Sequence, residues 1–503
     1  MKKYFLLIML AIFAVSCSKK VEVKGTVKGG SPLERIEIIE ASGVGTLPLI
    51  NIGVDSKGEF SGSFDAPQNG LYVITYAGKS NMVYLKGGQT LNISGNAADF
   101  PQVMTITGDA KANNDFLVEG QKAFETYATK INMETLLAKK EPEFLKEFEK
   151  INGEVKKIFD DSAAKFKADK EVATYKKDEV AARLVGLLDA YQENHAQLTN
   201  NPSYKVSENF TKVKTTMEKK KDEMIKKFPA YREYLLNRLQ GDFQKYMSTQ
   251  PEPKGQPLVS ELFAKFFETR KDLSATAKNY FLSYILAQGD LNFMNYQNYD
   301  KITKVIDEHI TDSKIKKDLK ALQIVLMGQK TGSNLDLKIT SKDGKTQTLS
   351  DLKGKPTLVA FYASWNPNIA VMTVPVLKET TDVYKEKMNY AYVNLDDTKE
   401  QFEKTSASLL KGFTGNHYWV DGGINSSAAK NFGMYGFKIP SYILIDKDGK
   451  MASRPFFNLQ DPEFKVEMEK LTGIKAPAVQ LEAMPQIEVT PEMLAPADSV
   501  EVK

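Results

Sequence analysis

The chain has 503 residues, about three times the length of a typical domain, so several domains are expected. Apolar residues make up 42% and charged residues 26%, a globular composition; 68 Lys and Arg against 64 Asp and Glu leave a net charge of +4, with no electrostatic case for nucleic acid. A single cysteine excludes an internal disulfide framework, a four-cysteine zinc site and an intramolecular dithiol. His195, His309 and His417 lie far apart in the chain, which argues against a histidine-based metal site, and no cofactor is expected.

Lys2 and Lys3 precede an apolar run from Tyr4 to Val15. That run falls short of the ~20 residues needed to span a bilayer as a helix. It ends in Ala14-Val15-Ser16-Cys17, which resembles a bacterial lipoprotein signal over residues 1–16. The resemblance implies that Cys17 is diacylated and becomes the mature N-terminus; the alternative is an ordinary secretory signal with a chance cysteine. At least two acyl chains on one residue would hold the protein stably on a membrane. Ser18-Lys19-Lys20 has neither the Asp linked in some bacteria to inner-membrane retention nor the acidic run linked to surface export. The expected location is therefore the cell envelope, lipid-anchored in the outer membrane and facing the periplasm.

Residues 17–108 read as an antiparallel β-sandwich. VEVKGTV, RIEIIEA, EFSGSFDA, GLYVITYA and MVYLKGGQTLNISG alternate or are rich in β-branched and aromatic residues, and turn residues separate them. Asp55-Ser56-Lys57-Gly58 reads as a hairpin turn in which Gly58 takes positive φ. This stretch also resembles an uncharacterised β-sandwich domain that often precedes a thioredoxin-like domain in lipoproteins.

From Asp109 the character becomes helical, and residues 109–330 are expected to form six to nine helices. Ala110 to Gln250 holds three prolines and four glycines, where average usage gives about 17 of the two together. Phe144, Phe148, Ile151, Val155 and Ile158 form one helix face, as do Ala181, Leu184, Val185, Leu188 and Tyr191. The basic run Lys212–Lys227 is interrupted by acids and reads as a solvated helix face, with attraction to an anionic membrane as the functional alternative. The aromatic-rich stretch Phe263–Tyr299 reads as helix-pair core, with a peptide or glycan groove as the alternative.

Residues 334–474 alternate strands and helices, with the fully apolar runs TLVAFYA and YILI suiting central strands of an α/β domain. The segment 475–503 holds four prolines and five acids against two lysines and reads as a disordered tail. The whole is a multidomain α+β chain. Asp396-Asp397 follows a strand, where ligands often gather in α/β folds, but reads as ordinary structure. Asp446-Lys447-Asp448-Gly449 reads as a hairpin turn without the later acids of a calcium loop.

LSDLKGKPTLVAFYASW, VNLDDTKEQFEK and INSSAAKNFGMYGFKIPSYILIDKDGKM, in that order, resemble the TlpA/ResA-like branch of thioredoxin-like proteins, tethered extracytoplasmic thiol-disulfide oxidoreductases. In that family a Trp ending the first central strand is followed at once by Cys-x-x-Cys, and a cis-proline faces the dithiol. The Trp here is Trp365, so the thiol positions fall on Asn366 and Ile369; the proline is Pro440, expected cis. An amide and an aliphatic chain cannot perform thiol-disulfide exchange. What remains is a candidate peptide groove formed by Trp365, Asn366, Asn368, Ile439 and Pro440. The competing reading makes the domain a packing module with Asn366 as an N-cap. Three functions follow: a redox-inactive envelope lipoprotein that binds a protein or peptide or acts as a scaffold; a thiol-disulfide oxidoreductase by descent; and a glycan- or peptide-binding envelope protein.

Overall fold

The computed structural model describes residues 19–252 and 255–475; the leader 1–16, Cys17 and the tail from 476 lie outside the described residues. The chain is a multidomain α+β protein, with a β-rich N-terminal region, a helical middle and an α/β C-terminal domain.

Eight strands form the N-terminal region: β1 (Lys20–Lys28), β2 (Arg35–Glu40), β3 (Pro48–Gly53), β4 (Glu59–Asp65), β5 (Gly70–Tyr76), β6 (Lys79–Leu85), β7 (Thr90–Asn96) and β8 (Thr105–Thr107). They make two four-stranded sheets, ordered β4-β1-β7-β8 and β3-β2-β5-β6. Period-two alternation explains the pairing: Val21, Val23, Ile36, Ile38, Tyr72, Ile74 and Leu91 all turn into one core. The sandwich is not purely antiparallel, because β1 pairs with β7 in parallel. The turn at Gly87-Gly88 carries the chain from one sheet to the other, so β7 lands beside β1 running the same way. The strand β3 was not anticipated, since Pro48 and Gly53 at its ends read as loop. Gly58 does take positive φ (82°), but the Asp55–Gly58 turn joins strands of different sheets rather than a paired hairpin.

The middle of the chain holds twelve α-helices among the described residues: α1 (Lys111–Ala128), α2 (Met133–Leu137), α3 (Glu141–Phe166), α4 (Lys170–Leu198), α5 (Glu208–Met217), α6 (Lys221–Lys227), α7 (Pro229–Arg238), α8 (Gln240–Ser248), α9 (Val259–Thr269), α10 (Ala275–Ile285), α11 (Tyr299–His309) and α12 (Ser313–Met327). That exceeds the expected six to nine. The extra breaks have no proline: α7 passes into α8 at Leu239, and a tight 3-10 turn at Glu218–Lys220 separates α5 from α6. The five-residue α2 stands apart because Asn132 caps it.

Phe144, Phe148, Ile151 and Val155 are buried as a single face, with Phe159 rather than Ile158 completing it. Phe266, Phe267 and Phe281 are core residues, and Phe263, Tyr280, Tyr296 and Tyr299 pack on that core. The basic run is largely paired with acids, Lys220 and Lys227 with Asp178 and Lys221 with Glu218, which fits a solvated face. The loop after β2 enters the helical body, where Val44 and Leu47 join its core and Arg232 donates to the Ser42 carbonyl at 2.7 Å.

The C-terminal domain contains β9 (Lys338–Ser341), β10 (Thr346–Thr348), β11 (Thr357–Tyr362), α13 (Val374–Tyr384), β12 (Asn389–Asn394), α14 (Lys399–Ser408), β13 (Asn416–Trp419), α15 (Ser427–Asn431), β14 (Ser441–Ile445) and α16 (Pro462–Thr472). Its sheet runs β10-β9-β13-β12-β11-β14. The three strands β11, β12 and β13 are parallel and β14 is antiparallel to β11. Every residue of β11 and β14 is buried, as their continuous apolar runs require. The helices α13 and α16 cover one face through Leu377, Tyr384, Phe464 and Met468, while Ala429 of α15 packs on the other. The strand expected after Gly449 is reduced to single bridges, Ile445 to Met451 and Tyr442 to Phe456.

Candidate functional site

The loop that follows β11 carries Trp365 and is fastened from below by Asp396, which is fully buried. One Asp396 oxygen accepts from the Ser364 N–H (2.7 Å) and hydroxyl (3.0 Å); the other accepts from Asn394 Nδ2 (2.8 Å) and Thr405 Oγ1 (3.1 Å). Through these contacts the buried carboxylate positions the loop at the carboxyl end of the parallel strands.

Asn366 has two partners. Its Oδ1 accepts from the Asn368 N–H at 2.9 Å, closing an Asx turn, and its Nδ2 donates to the Ile439 carbonyl at 2.6 Å. The Ile439-Pro440 bond is cis, as expected, and the Ile439 N–H donates to the Gly436 carbonyl at 3.2 Å. Both main-chain groups of Ile439 are therefore used internally. Ile369, where the resemblance puts the second thiol, is 4% exposed and belongs to the core under α13. Between them a 3-10-like start gives way to a π-type turn over Ile369–Thr373, with the Asn368 carbonyl accepting from the N–H groups of Met372 and Thr373.

The five expected groove residues thus divide. Asn366 joins Ile439 and Pro440, Asn368 is exposed, and Trp365 turns toward the β-sandwich. The Arg35 guanidinium, at the start of β2, lies 4.9 Å from the Trp365 ring centroid and binds Asp397 through two bonds of 2.8 and 2.9 Å. The Asn51 carbonyl on β3 accepts from Arg35 Nη2 (3.0 Å) and from Asn425 Nδ2 (2.6 Å), and the Asn51 N–H donates to Asn425 Oδ1 (2.9 Å). The Asn425 amide therefore pairs with the edge of β3 as another strand would. Lys430 adds a bond to the Leu49 carbonyl at 2.5 Å. Burial raises the Glu37 carboxyl above its ordinary value, an effect opposed by the Asn51 amide and by Arg35. At Gly436 a Cβ would lie 2.7 Å from Asn51 Nδ2, so glycine is what lets the two domains approach.

A cleft of about 670 Å³ runs along this junction, between Leu33, Ile50 and Gly62 on one side and Trp365, Thr398 and Gln401 on the other. The sequence carried no sign of Arg35: it sits in register with Glu37 on the outward face of an alternating strand, where charged residues normally meet water. Asp397 was visible only as half of an acidic pair.

The C-terminal domain is thioredoxin-like. The Redoxin family profile matches residues 320–455. Similar solved structures include the C-terminal domain of a putative thiol-disulfide oxidoreductase from Bacteroides thetaiotaomicron, at 28% identity over 27% of this chain and 90% of that one, TM-score 0.24. A putative thiol:disulfide interchange protein DsbE from Chlorobium tepidum matches at 22% identity over 28% and 98%, TM-score 0.24. A putative thiol-disulfide oxidoreductase from Bacteroides vulgatus matches at 27% identity over 27% and 86%, TM-score 0.23. No curated protein matches the chain. No helix among the described residues is long and apolar enough to cross a membrane.

Proposed function

We propose that the protein is a lipid-anchored component of the bacterial cell envelope, facing the periplasm, whose thioredoxin-like domain serves as a protein- or peptide-binding or scaffold module and does not exchange disulfides. The observation that carries this reading is the bond from Asn366 Nδ2 to the Ile439 carbonyl. At the first thiol position stands an amide whose two polar atoms are both committed to holding the loop against the cis-proline segment. Disulfide exchange needs an attacking thiolate and a resolving thiol, and peroxide reduction on this fold also starts from a thiolate. Asn366 and Ile369 supply neither, and Cys17 would carry the lipid.

Within this reading the scaffold role is favoured over a peptide groove. A strand pairing with Ile439 would have to displace Asn366 and pull the Ile439 N–H from Gly436, while Arg35 already occupies the Trp365 flank. Descent from oxidoreductases supports the alternative activity and is met by a direct assay. Insulin reduction by the purified chain with dithiothreitol is expected to equal the no-protein blank, and turnover above it would overturn the inactive reading. Cys17→Ser is expected to move the protein out of the membrane fraction. If that variant still fractionates with membranes as the parent does, the anchor lies elsewhere. Pull-down from solubilised membranes, read by mass spectrometry, identifies the partner.

A further inference from the structure

The strand β5 is apolar on both faces from Leu71 to Ile74. Tyr72, Ile74 and Tyr76 fill the sandwich core, but Leu71 and Val73 point the other way, beside Met82 of β6, which is 60% exposed. An outward sheet face normally alternates to polar residues; Thr75 does so here, but Leu71 and Val73 do not. Opposite stand Ala182 and Gly186 of α4 and Tyr231 and Tyr234 of α7, and the helices do not close on the sheet. A cavity of about 740 Å³ remains between them, lined mainly by apolar atoms. A second cavity of about 410 Å³ adjoins it, sharing Leu71 and Tyr175 as walls, and is lined by polar groups including Ser42, Gln68, Asn69, Lys170 and Lys227. Both volumes fall in the range of small-molecule sites.

Two details of the apolar cavity are unexplained by packing alone. Gly186 interrupts a 29-residue helix, where glycine is unfavourable, although a Cβ there would meet nothing closer than the Tyr234 ring at 3.8 Å. Its absence of a side chain widens the cavity. The Tyr231 residue is 4% exposed and its hydroxyl is buried with no partner. At the polar end, Glu171 is already held by the Asn69 amide at 2.9 and 3.1 Å. Lys170 has no ion pair among the described residues, and Lys227 has a long ion pair to Asp178 at 3.8 Å. The first turn of α4 also faces this end. Its N-cap Asp169 makes no capping bond, because Lys86 and Asn113 hold its carboxylate.

From these features we infer that the junction between β5 and α4 binds a single-chain amphiphile with a carboxylate head, the fatty-acid class, its chain between Leu71, Val73 and Gly186 and its head between Lys170 and Lys227. The cavities supply the two requirements of such a ligand side by side, an apolar slot and, across Leu71 and Tyr175, a polar chamber with Lys170 and Lys227 in its wall. The site is separate from the Trp365 loop and does not depend on whether that loop is redox-active.

The test uses the full purified chain, delipidated on a hydrophobic resin, with cis-parinaric acid as the fluorescent probe and oleic acid and oleyl alcohol as competitors. One saturable site is expected, with the acid bound more tightly than the alcohol. Gly186→Leu, which fills the apolar slot and removes a helix-interior glycine, is expected to weaken both competitors by about tenfold or more. Met82→Asp, at a position 60% exposed, gives the same readout should the first variant fold poorly. Lys170→Ala with Lys227→Ala is expected to weaken the acid by roughly fivefold and leave the alcohol unchanged. Absence of saturable binding, or binding indifferent to both Gly186→Leu and Met82→Asp, would overturn the site. Equal loss for acid and alcohol in the lysine variant would overturn the head-group assignment.

Discussion

If Arg35 fastens the β-sandwich to the Trp365 face, its removal is measurable from the C-terminal domain alone, because both tryptophans of the chain, Trp365 and Trp419, lie there. The perturbation is a double-mutant cycle of Arg35→Met and Asp397→Asn. Arg35 is 8% exposed at its side chain and Asp397 30%, so the pair is half-buried and its attraction is only partly screened. Two charge-assisted bonds hold it, and a cation–π contact with Trp365 adds about 1 kcal/mol. Removing Arg35 is expected to cost about 3 kcal/mol, since Asp397 can partly rehydrate while the Asn51 carbonyl keeps Asn425. Asp397→Asn is expected to cost about 2 kcal/mol by leaving the guanidinium under-paired. The pairwise coupling should come to roughly 1–2 kcal/mol. Urea unfolding followed by tryptophan fluorescence measures each corner of the cycle, and the Arg35 variant is also expected to alter the native emission of Trp365. Additivity within about 0.5 kcal/mol, together with an unchanged native spectrum, would refute the argument that this pair docks the two domains.

On the proposed reading, installing both thiols with Asn366→Cys and Ile369→Cys is expected to raise insulin reduction above that of the parent chain; a double variant that forms its disulfide yet never turns over would show that the π-type turn misplaces position 369. Residues 334–474 are expected to unfold as one cooperative transition in calorimetry when produced alone, because both cores flanking the sheet are built from residues of that segment. Lys438 is 5% exposed, with one bond from Nζ to the Gly433 carbonyl at 3.0 Å, and burial lowers its pKa from 10.5 to about 8. Between those values the unfolded chain binds the proton and the folded one does not, so this group makes stability rise with pH from about 8 upward. Lys438→Met is accordingly expected to stabilise by about 3 kcal/mol at pH 7 and by only about 1 kcal/mol near pH 9.5, read from denaturant midpoints; a pH-independent difference would refute it.

The periodicities that sequence exposes are those set by one chain segment burying one face. Five of the strand segments and the Phe144 helix face were therefore legible, and so was the order of the C-terminal domain. The strand β3 was not, because its ends are Pro48 and Gly53 and its edge is completed by Asn425, more than 370 positions away in the chain. Helix number was underestimated where chain direction changes without proline, at Leu239 and at Glu218–Lys220. In the site, motif order brought Asn366 together with the Ile439-Pro440 segment and its cis bond, but not the turn of Trp365 toward the sandwich. It could not locate Arg35, whose role depends on a domain contact that leaves no local pattern.

On the proposed reading, in which Asn366 stands where relatives carry their first thiol, the domain contact bears on why an asparagine is found there. A thioredoxin-like face that works on protein disulfides must admit an extended segment beside its Trp and its cis-proline, so it has to stay open and keep the main chain before the proline available. Here the carbonyl of Ile439 is taken by Asn366, one flank of Trp365 is taken by Arg35, and Asp397 and Asn425 from neighbouring loops are turned to the sandwich rather than to solvent. Each of these contacts would obstruct a disulfide substrate, and none costs anything once thiol chemistry is absent. On the proposed reading, loss of the two sulfurs and capture of the face by the chain's own β-sandwich belong together: the polar end of the sheet, no longer required to receive a substrate, becomes the surface that holds the N-terminal domain in place.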